Sequence, residues 1–267
     1  MAELADWTCS FNGLVMGEPD SAISIVAVDG LLTLPDVRSS DLTLVQRHGL
    51  YAGDDYMNGR TVTLTLEVYG SSREEFTAAL NAVQAAFLPA EAEKPLTFRF
   101  PGATADRTAF VMVRPRKRSA PLDLNFANMV CNVMVELYAT SPYMEADDLT
   151  TLPTLASPFS GTSPKLNFAV DSNVPVLPLI TISNVKNVRL TDEITGQYFG
   201  VVYTGPTVII DSVKQEVLSA PGEGMPGAIT PGSTWPEWGF GAHRLALYSE
   251  TTTAPSTALI EFRDRWV

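Results

Sequence analysis

RTVTLTLEVYGSSREEFTAALNAVQAAFLP, residues 60–89, is the stretch from which the chain is read. In its first ten residues Val62, Leu64, Leu66 and Val68 alternate with Thr61, Thr63, Thr65 and Glu67. A period of two gives a strand with one dry face and one wet face. After Gly70, Phe76, Leu80, Val83 and Phe87 recur at spacings of 4, 3 and 4, the stripe of an amphipathic helix. Ser72 and Glu75 fit a capping box, in which each side chain satisfies a backbone N–H that the first turn leaves unpaired. Pro89 cannot continue the helical hydrogen bonding. The spacing predicts one helix over residues 72–88, packed on a sheet, and its stripe is read as core rather than as a cofactor contact.

Strands are expected on both sides of this segment. Residues 7–11 lead through Asn12-Gly13, a dipeptide suited to tight hairpin turns, into residues 14–16, and residues 23–28 stop at Asp29-Gly30. Further strands are expected at 96–100, 109–114 and 129–138. The last alternates Met129, Cys131, Val133, Val135 and Leu137 against Asn132, Glu136 and Tyr138, which makes Cys131 an inert core thiol. From Asp147 to Pro164 the chain turns to Asp, Thr, Ser and Pro without periodicity, the composition of a boundary. Beyond it come short strands at 179–183, 188–190, 198–203, 207–210, 216–218, 244–248 and 258–263, divided by Gly, Pro, Asn and Asp. Such punctuation with no helical stretch indicates a β-sandwich. The fold class read from the pattern is mainly β (α+β). Residues 1–148 form a domain with one packed helix, residues 149–163 a linker, and residues 164–267 a β-sandwich.

Composition bounds the function. A chain of 267 residues can hold two modest domains, each with its own core. Hydrophobic residues at 45% against 18% charged argue against disorder. A mean hydropathy of +0.09 fits either a deep core or apolar surface hidden between subunits. The net charge of −12 is uneven: residues 1–150 carry 11 Lys+Arg against 20 Asp+Glu, net −9, and the remainder 7 against 10, net −3. An acidic chain makes few phosphate contacts, which disfavours ordinary nucleic-acid binding. Cys9 and Cys131, the only cysteines, exclude a disulfide framework. Met1 to Asp6 lacks the basic start of a signal peptide, and no apolar run approaches the roughly 18 residues of a membrane-spanning helix. Synthesis in a cytoplasm, without a membrane span, is expected.

Catalytic constellations are absent from the pattern. His48 and His243 are the only histidines, and no Cys-x-x-Cys, His-Glu-x-x-His or Gly-x-Ser-x-Gly spacing occurs. Each histidine is expected at a surface or an interface. Gly222 to Gly227 matches Gly-x-Gly-x-x-Gly by letter, yet Pro226 and Pro231 leave no helix to receive a pyrophosphate. That segment reads as a surface loop. Asp54-Asp55 and Asp147-Asp148 fall in turn-rich segments without calcium-loop spacing. No enzyme activity, cofactor or metal is expected.

Two surface features remain. Arg114-Pro115-Arg116-Lys117-Arg118 is the one basic cluster, placed by its pattern at a hairpin tip. In an acidic chain, Arg114, Arg116, Lys117 and Arg118 suit the acidic face of a neighbouring subunit, with contact to passing DNA or a solvated loop as the alternatives. Trp235 and Trp238, with Phe240, form an aromatic group. It is either a platform for a glycan or a partner, or a set of half-buried rings sealing a core or an interface.

The order of several segments adds a resemblance. Gly59 to Leu66, the helix, Leu96 to Gly102, Val113 to Arg116, and Tyr138-Ala139-Thr140-Ser141-Pro142-Tyr143 follow one another as in the ring-forming domain of siphophage distal tail proteins. Asn184, Thr195-Gly196, Ile209 to Ser212 and Glu261 to Trp266 extend the likeness into the second half, whereas the linker and the loop from Pro221 to Phe240 match less well. The resemblance implies a ring-forming (belt) domain followed by a lectin-like, galectin-like sandwich. It further implies a non-enzymatic virion protein, a hexameric adaptor ring at the distal end of a long non-contractile tail. Its partners would be copies of itself, the tail tube protein and the tip or receptor-binding proteins. DNA would pass through without specific binding. The alternative is an adsorption module recognising host cell-wall carbohydrate.

Overall fold

The computed structural model describes residues 4–157, 164–250 and 254–267. It divides into two compact units, the first ending at Asp147 and the second running from Asp148 to Trp266.

In the first unit β1 (Thr8–Phe11) turns into β2 (Leu14–Met16) through Asn12 and Gly13, at φ 50° and 86°. Two successive left-handed residues are what a two-residue hairpin needs. β3 (Ile23–Asp29) leads into an arm built from β4 (Val37–Ser39), β5 (Leu42–Thr43), β6 (Leu50–Tyr51) and β7 (Asp55–Met57), with β4 paired to β7 and β5 to β6. The chain returns as β8 (Arg60–Tyr69), α1 (Arg73–Ala86), β9 (Lys94–Arg99) and β10 (Ala109–Ser119). It closes with the short α2 (Leu124–Ala127), β11 (Val130–Ala139) and β12 (Met144–Ala146). The sheet order is β2-β1-β9-β10-β11-β8-β3, antiparallel throughout, with β12 on β10.

The dry face of β8 is formed by Val62, Leu64, Leu66 and Val68, all without exposure. They lie in register with Leu137, Val135, Val133 and Cys131 of β11. α1 covers the core with Phe76, Ala79, Val83 and Ala86, and Phe87 stacks on Phe11 at 5.1 Å. Leu80, predicted in the stripe, is only partly buried; the small Ala79 and Ala86 sit on the contact line. Ser72 Oγ accepts the Glu75 N–H as predicted, but Glu75 accepts from the backbone and hydroxyl of Ser71 rather than from the cap residue itself. Those bonds from Ser71 hold the Glu75 carboxyl below its usual range. Gly70 makes the strand-to-helix turn possible, since a Cβ there would stand 2.4 Å from the Phe76 nitrogen.

Arg60 is the largest fully buried side chain among the described residues. Its Nε donates to Pro142 O at 2.7 Å, and its Nη1 donates to Leu31 O at 2.6 Å and Gly30 O at 3.2 Å. Burial lowers its pKa. Gly30 and Leu31 are where the chain leaves the sheet for the arm, and Arg60 is where it returns. One guanidinium therefore pins both legs of the arm and the end of β11. The Arg60→Met variant is expected to lose about 3 kcal/mol of first-unit stability, because charge-assisted hydrogen bonds vanish and buried carbonyls lose their donors. Arg60→Lys should restore little of it, lacking the planar fork. Urea denaturation followed by circular dichroism measures this, and an unchanged midpoint in Arg60→Met would remove the guanidinium from this role.

In the second unit the strands are β13 (Thr150–Thr151), β14 (Leu155–Ala156), β15 (Lys165–Val170), β16 (Leu179–Asp192), β17 (Tyr198–Asp211), β18 (Glu216–Ser219), β19 (Gly241–Tyr248) and β20 (Thr257–Phe262). They pair in the order β13-β20-β16-β17-β18, with β14 also on β20 and β15 joined through β19 to β16. Two pairs of predicted short strands are thus fused into the long β16 and β17. Asn184 and Asn187 take φ of 55° and 44°, and the register shifts between Lys186 and Val188. At that irregularity β16 changes partners: Leu179 to Ser183 lie on β20, and Arg189 to Asp192 on β19. The sheet bends there and encloses a core that includes Ile180, Ile182, Leu190, Val201, Leu245 and Ile260.

The predicted linker is corrected in its described part. Residues 150–151 and 155–156 pair with β20, and Leu152 and Leu155 enter the second core. Two leucines separated by a proline are too sparse to register as a period. The remainder of that linker, residues 158–163, lies outside the described residues.

Candidate interaction surfaces

The basic cluster is not at a hairpin tip. Arg114 to Arg118 lie within β10, opposite Tyr138, Leu137, Glu136 and Val135 of β11, with a bulge between Pro115 and Lys117. The connection to β11 is Ala120 to Met129, which carries α2. Proline beside three cations resembles a turn by composition, but a bulge accommodates a residue that cannot donate to the ladder. The four side chains also have different surroundings. Arg118 Nη1 donates to Gln84 O at 2.6 Å, satisfying a carbonyl in the last turn of α1. The Arg116 guanidinium lies over the Tyr138 ring at 5.4 Å. Arg114 is half-buried, its Nε without a partner. Lys117 is exposed, as is Arg116.

A second surface went unread in the sequence. Between residues 31 and 58, Leu32, Leu34, Val37, Leu42, Val45, Leu50, Tyr51 and Tyr56 are 47–84% exposed. The arm is held internally by Ser40 Oγ donating to Asp54 O at 2.6 Å and Gly53 N donating to Asp41 Oδ1 at 2.8 Å. Its ladders are two-stranded, so these apolar groups have no second layer to enter. A concentration of exposed apolar surface marks an interaction site. The available signal was the eight large apolar residues themselves, in a segment with neither helical nor strand period.

The aromatic group divides rather than forming one platform. Trp238 is 3% exposed and packs edge-on to Phe168 at 5.0 Å and to Phe262 at 6.0 Å. Trp235 is half-buried against Phe199 at 4.7 Å. Phe240 alone projects, at 77% exposure.

His243, expected at a surface or an interface, is buried in the second unit. Its Nδ1 lies 2.8 Å from Asp192 Oδ2 and its Nε2 2.8 Å from Gly239 O, with the ring stacked on Phe168. Burial raises the Asp192 pKa, but the bonds from His243, the Ile194 and Arg244 N–H groups and Thr195 outweigh it and hold the carboxyl below its ordinary value. Both ring nitrogens are engaged, which leaves neither for activating a nucleophile. The pair instead fastens the aromatic loop at Gly239 to β16 and β19.

No group of three or more potential metal ligands occurs among the described residues, and no described helix is long and apolar enough to cross a membrane. Burial pushes the Cys9 thiol up to about 12, and burial followed by the Asp123 charge raises that of Cys131. A raised pKa keeps a thiol protonated and unreactive.

This division of the aromatic group has measurable consequences. Trp238→Ala is expected to cost about 3–5 kcal/mol of second-unit stability, as for a fully buried aromatic. Phe240→Ala should shift the urea midpoint little, and Trp235→Ala should fall between. Equal, small effects at all three positions would contradict the packing.

No family model and no curated protein matches the chain. Its mainly β architecture is similar to that of a phage hub protein of solved structure. The crystal structure of the Dit protein of phage SPP1, described as a paradigm of the hub adsorption apparatus in phages infecting Gram-positive bacteria, is similar at a TM-score of 0.68. The match covers 97% of this chain and 99% of that one, at 13% identity. Two structures of the phage P2 baseplate in its activated conformation, with Ca and with Sr, match at TM-scores of 0.45 and 0.46 and identities of 10% and 9%. They cover 92% and 96% of this chain, and 91% and 96% of theirs. At 13% identity, what the chain shares with SPP1 Dit is the fold.

Proposed function

We propose that this chain is a structural virion protein of the distal phage tail, assembling through its first unit into a hexameric adaptor ring. The ring joins the tail tube to tip and receptor-binding proteins and leaves a channel for DNA. Such a protein is made in the host cytoplasm and has no catalytic role. The observation that carries the reading is the arm: eight large apolar side chains are exposed on a segment anchored to the sheet by a buried arginine. A monomer exposes such a patch at a cost in solubility, and a neighbouring subunit removes it from water. The similarity in fold to SPP1 Dit supports the place of assembly. The acidic balance of residues 1–150, net −9 from 11 against 20 charges, supports a passage to which phosphate does not adhere.

Native mass spectrometry of the full chain at concentrations well above micromolar is expected to show six copies, since ring closure depends on concentration. Replacing Leu42, Val45, Leu50 and Tyr51 together by Ser should yield monomers whose circular dichroism and melting are unchanged, because none of the four enters a core. A quadruple variant that assembles normally, or a wild-type chain that stays monomeric, would overturn the reading.

A further inference from the structure

The part of the first sheet formed by β10, β11, β8 and β3 is open at both ends. β9 pairs with β10 only from Ala109 to Val113, so Arg114 to Ser119 have β11 as their sole strand partner among the described residues. At the other end β3 closes the strand order with no further strand paired to it among the described residues, though the Gly17 N–H reaches Ile23 O at 2.9 Å. The two ends carry opposite charge. Residues 114–118 hold four cations and no carboxylate, whereas no Lys or Arg precedes Arg38 in the chain. On the β3 side Asp29 is exposed, and exposed Glu67 stands in register with Ser24. The registers run Lys117 to Glu136, Glu136 to Thr63 and Thr63 to Asp29, so one row crosses the sheet from a cation at one edge to a carboxylate at the other. These four side chains share the face opposite the core, since Val62, Leu64 and Val135 beside them point inward.

Each edge also carries a bulge, between Pro115 and Lys117 on β10 and between Ile25 and Ala27 on β3, where Val26 is 55% exposed. Bulges interrupt the regular row of backbone donors and acceptors that a foreign strand would need. Contact through these edges therefore relies on side chains, and charge complementarity selects the partner. The two edges belong to different strands, β10 and β3, with β11 and β8 between them. A second copy presents the complementary edge.

We propose that the basic edge of one copy, through Arg116 and Lys117, docks against the acidic side of the next copy, through Asp29 on the edge strand β3 and Glu67 one strand in on β8. This rests on the ring reading above and specifies its contact. The contact is heterologous: each copy offers one edge and accepts the other, so addition runs in one direction and closes into a ring when the rotation permits. Arg118 and Arg114 stay with their own chain, the first on α1 and the second half-buried.

A charge-swap experiment on the full chain tests this by light scattering across protein concentration, at low and high salt. R116E/K117E is expected to raise the concentration of half-assembly by about tenfold or more, the scale of close interfacial charge pairs. D29K/E67K should do the same, with melting temperatures near wild type. Because Asp29 also accepts the Gly30 N–H at 2.8 Å, Glu67→Lys alone serves as an acidic variant free of that bond. Combining R116E/K117E with D29K/E67K should restore assembly toward wild type, and added salt should weaken the wild-type contact through screening. Reversals that leave assembly unchanged, or a combination that fails to recover, overturn this contact while a wild-type ring preserves the broader reading. A wild-type chain that never assembles overturns both.

Discussion

The ladder between Arg60–Tyr69 and Val130–Ala139 runs ten residues with no register shift, and the first unit is arranged around it. Because side chains alternate, fixing this register sends Val62, Leu64, Leu66 and Val68 to one side and Thr61, Thr63, Thr65 and Glu67 to the other. The apolar side must be covered, and α1 covers it. The polar side remains free to carry the charged row. A slip of one residue would exchange the two faces and expose the core. Arg60 stands at the end of this same ladder, so the interactions that define the sheet also define where the arm departs.

The second unit meets a related problem by a different route. Its long strands change partners at Asn184 and Asn187, residues that tolerate a left-handed backbone. The bend turns a single sheet into an enclosure for its own apolar face. His243 then joins an aromatic cluster to a polar one. Its ring packs with Phe168 and Trp238 while its nitrogens reach Asp192 and Gly239. The loop that displays Phe240 is thereby held from the inside, and its tryptophans contribute packing more than surface.

Where one residue type repeated at one period, the sequence was legible. β8, β11 and α1 carry such repeats, and Asn12-Gly13 states its turn directly. The arm was not legible, because its strands are two or three residues long and its leucines have no core to which a period could refer. The basic cluster was misplaced because a bulge and a turn share the same composition, and only pairing with β11 distinguishes them. The linker hid two short strands whose burial depends on β20, about a hundred residues away in sequence. His243 carried no local sign of burial, since Asp192 and Gly239 come to it only through the pairing of β16 with β19. In each case the missing information was a long-range partner.

Exposed apolar residues on the arm and oppositely charged sheet edges both bear on one proposed property, association of like copies around an axis. Electron micrographs of the purified full chain test that property most directly. Closed rings with a central opening and six repeats are expected, with the opening free of protein density. Isolated monomers at high concentration, or open filaments that never close, would contradict the proposed adaptor-ring assembly.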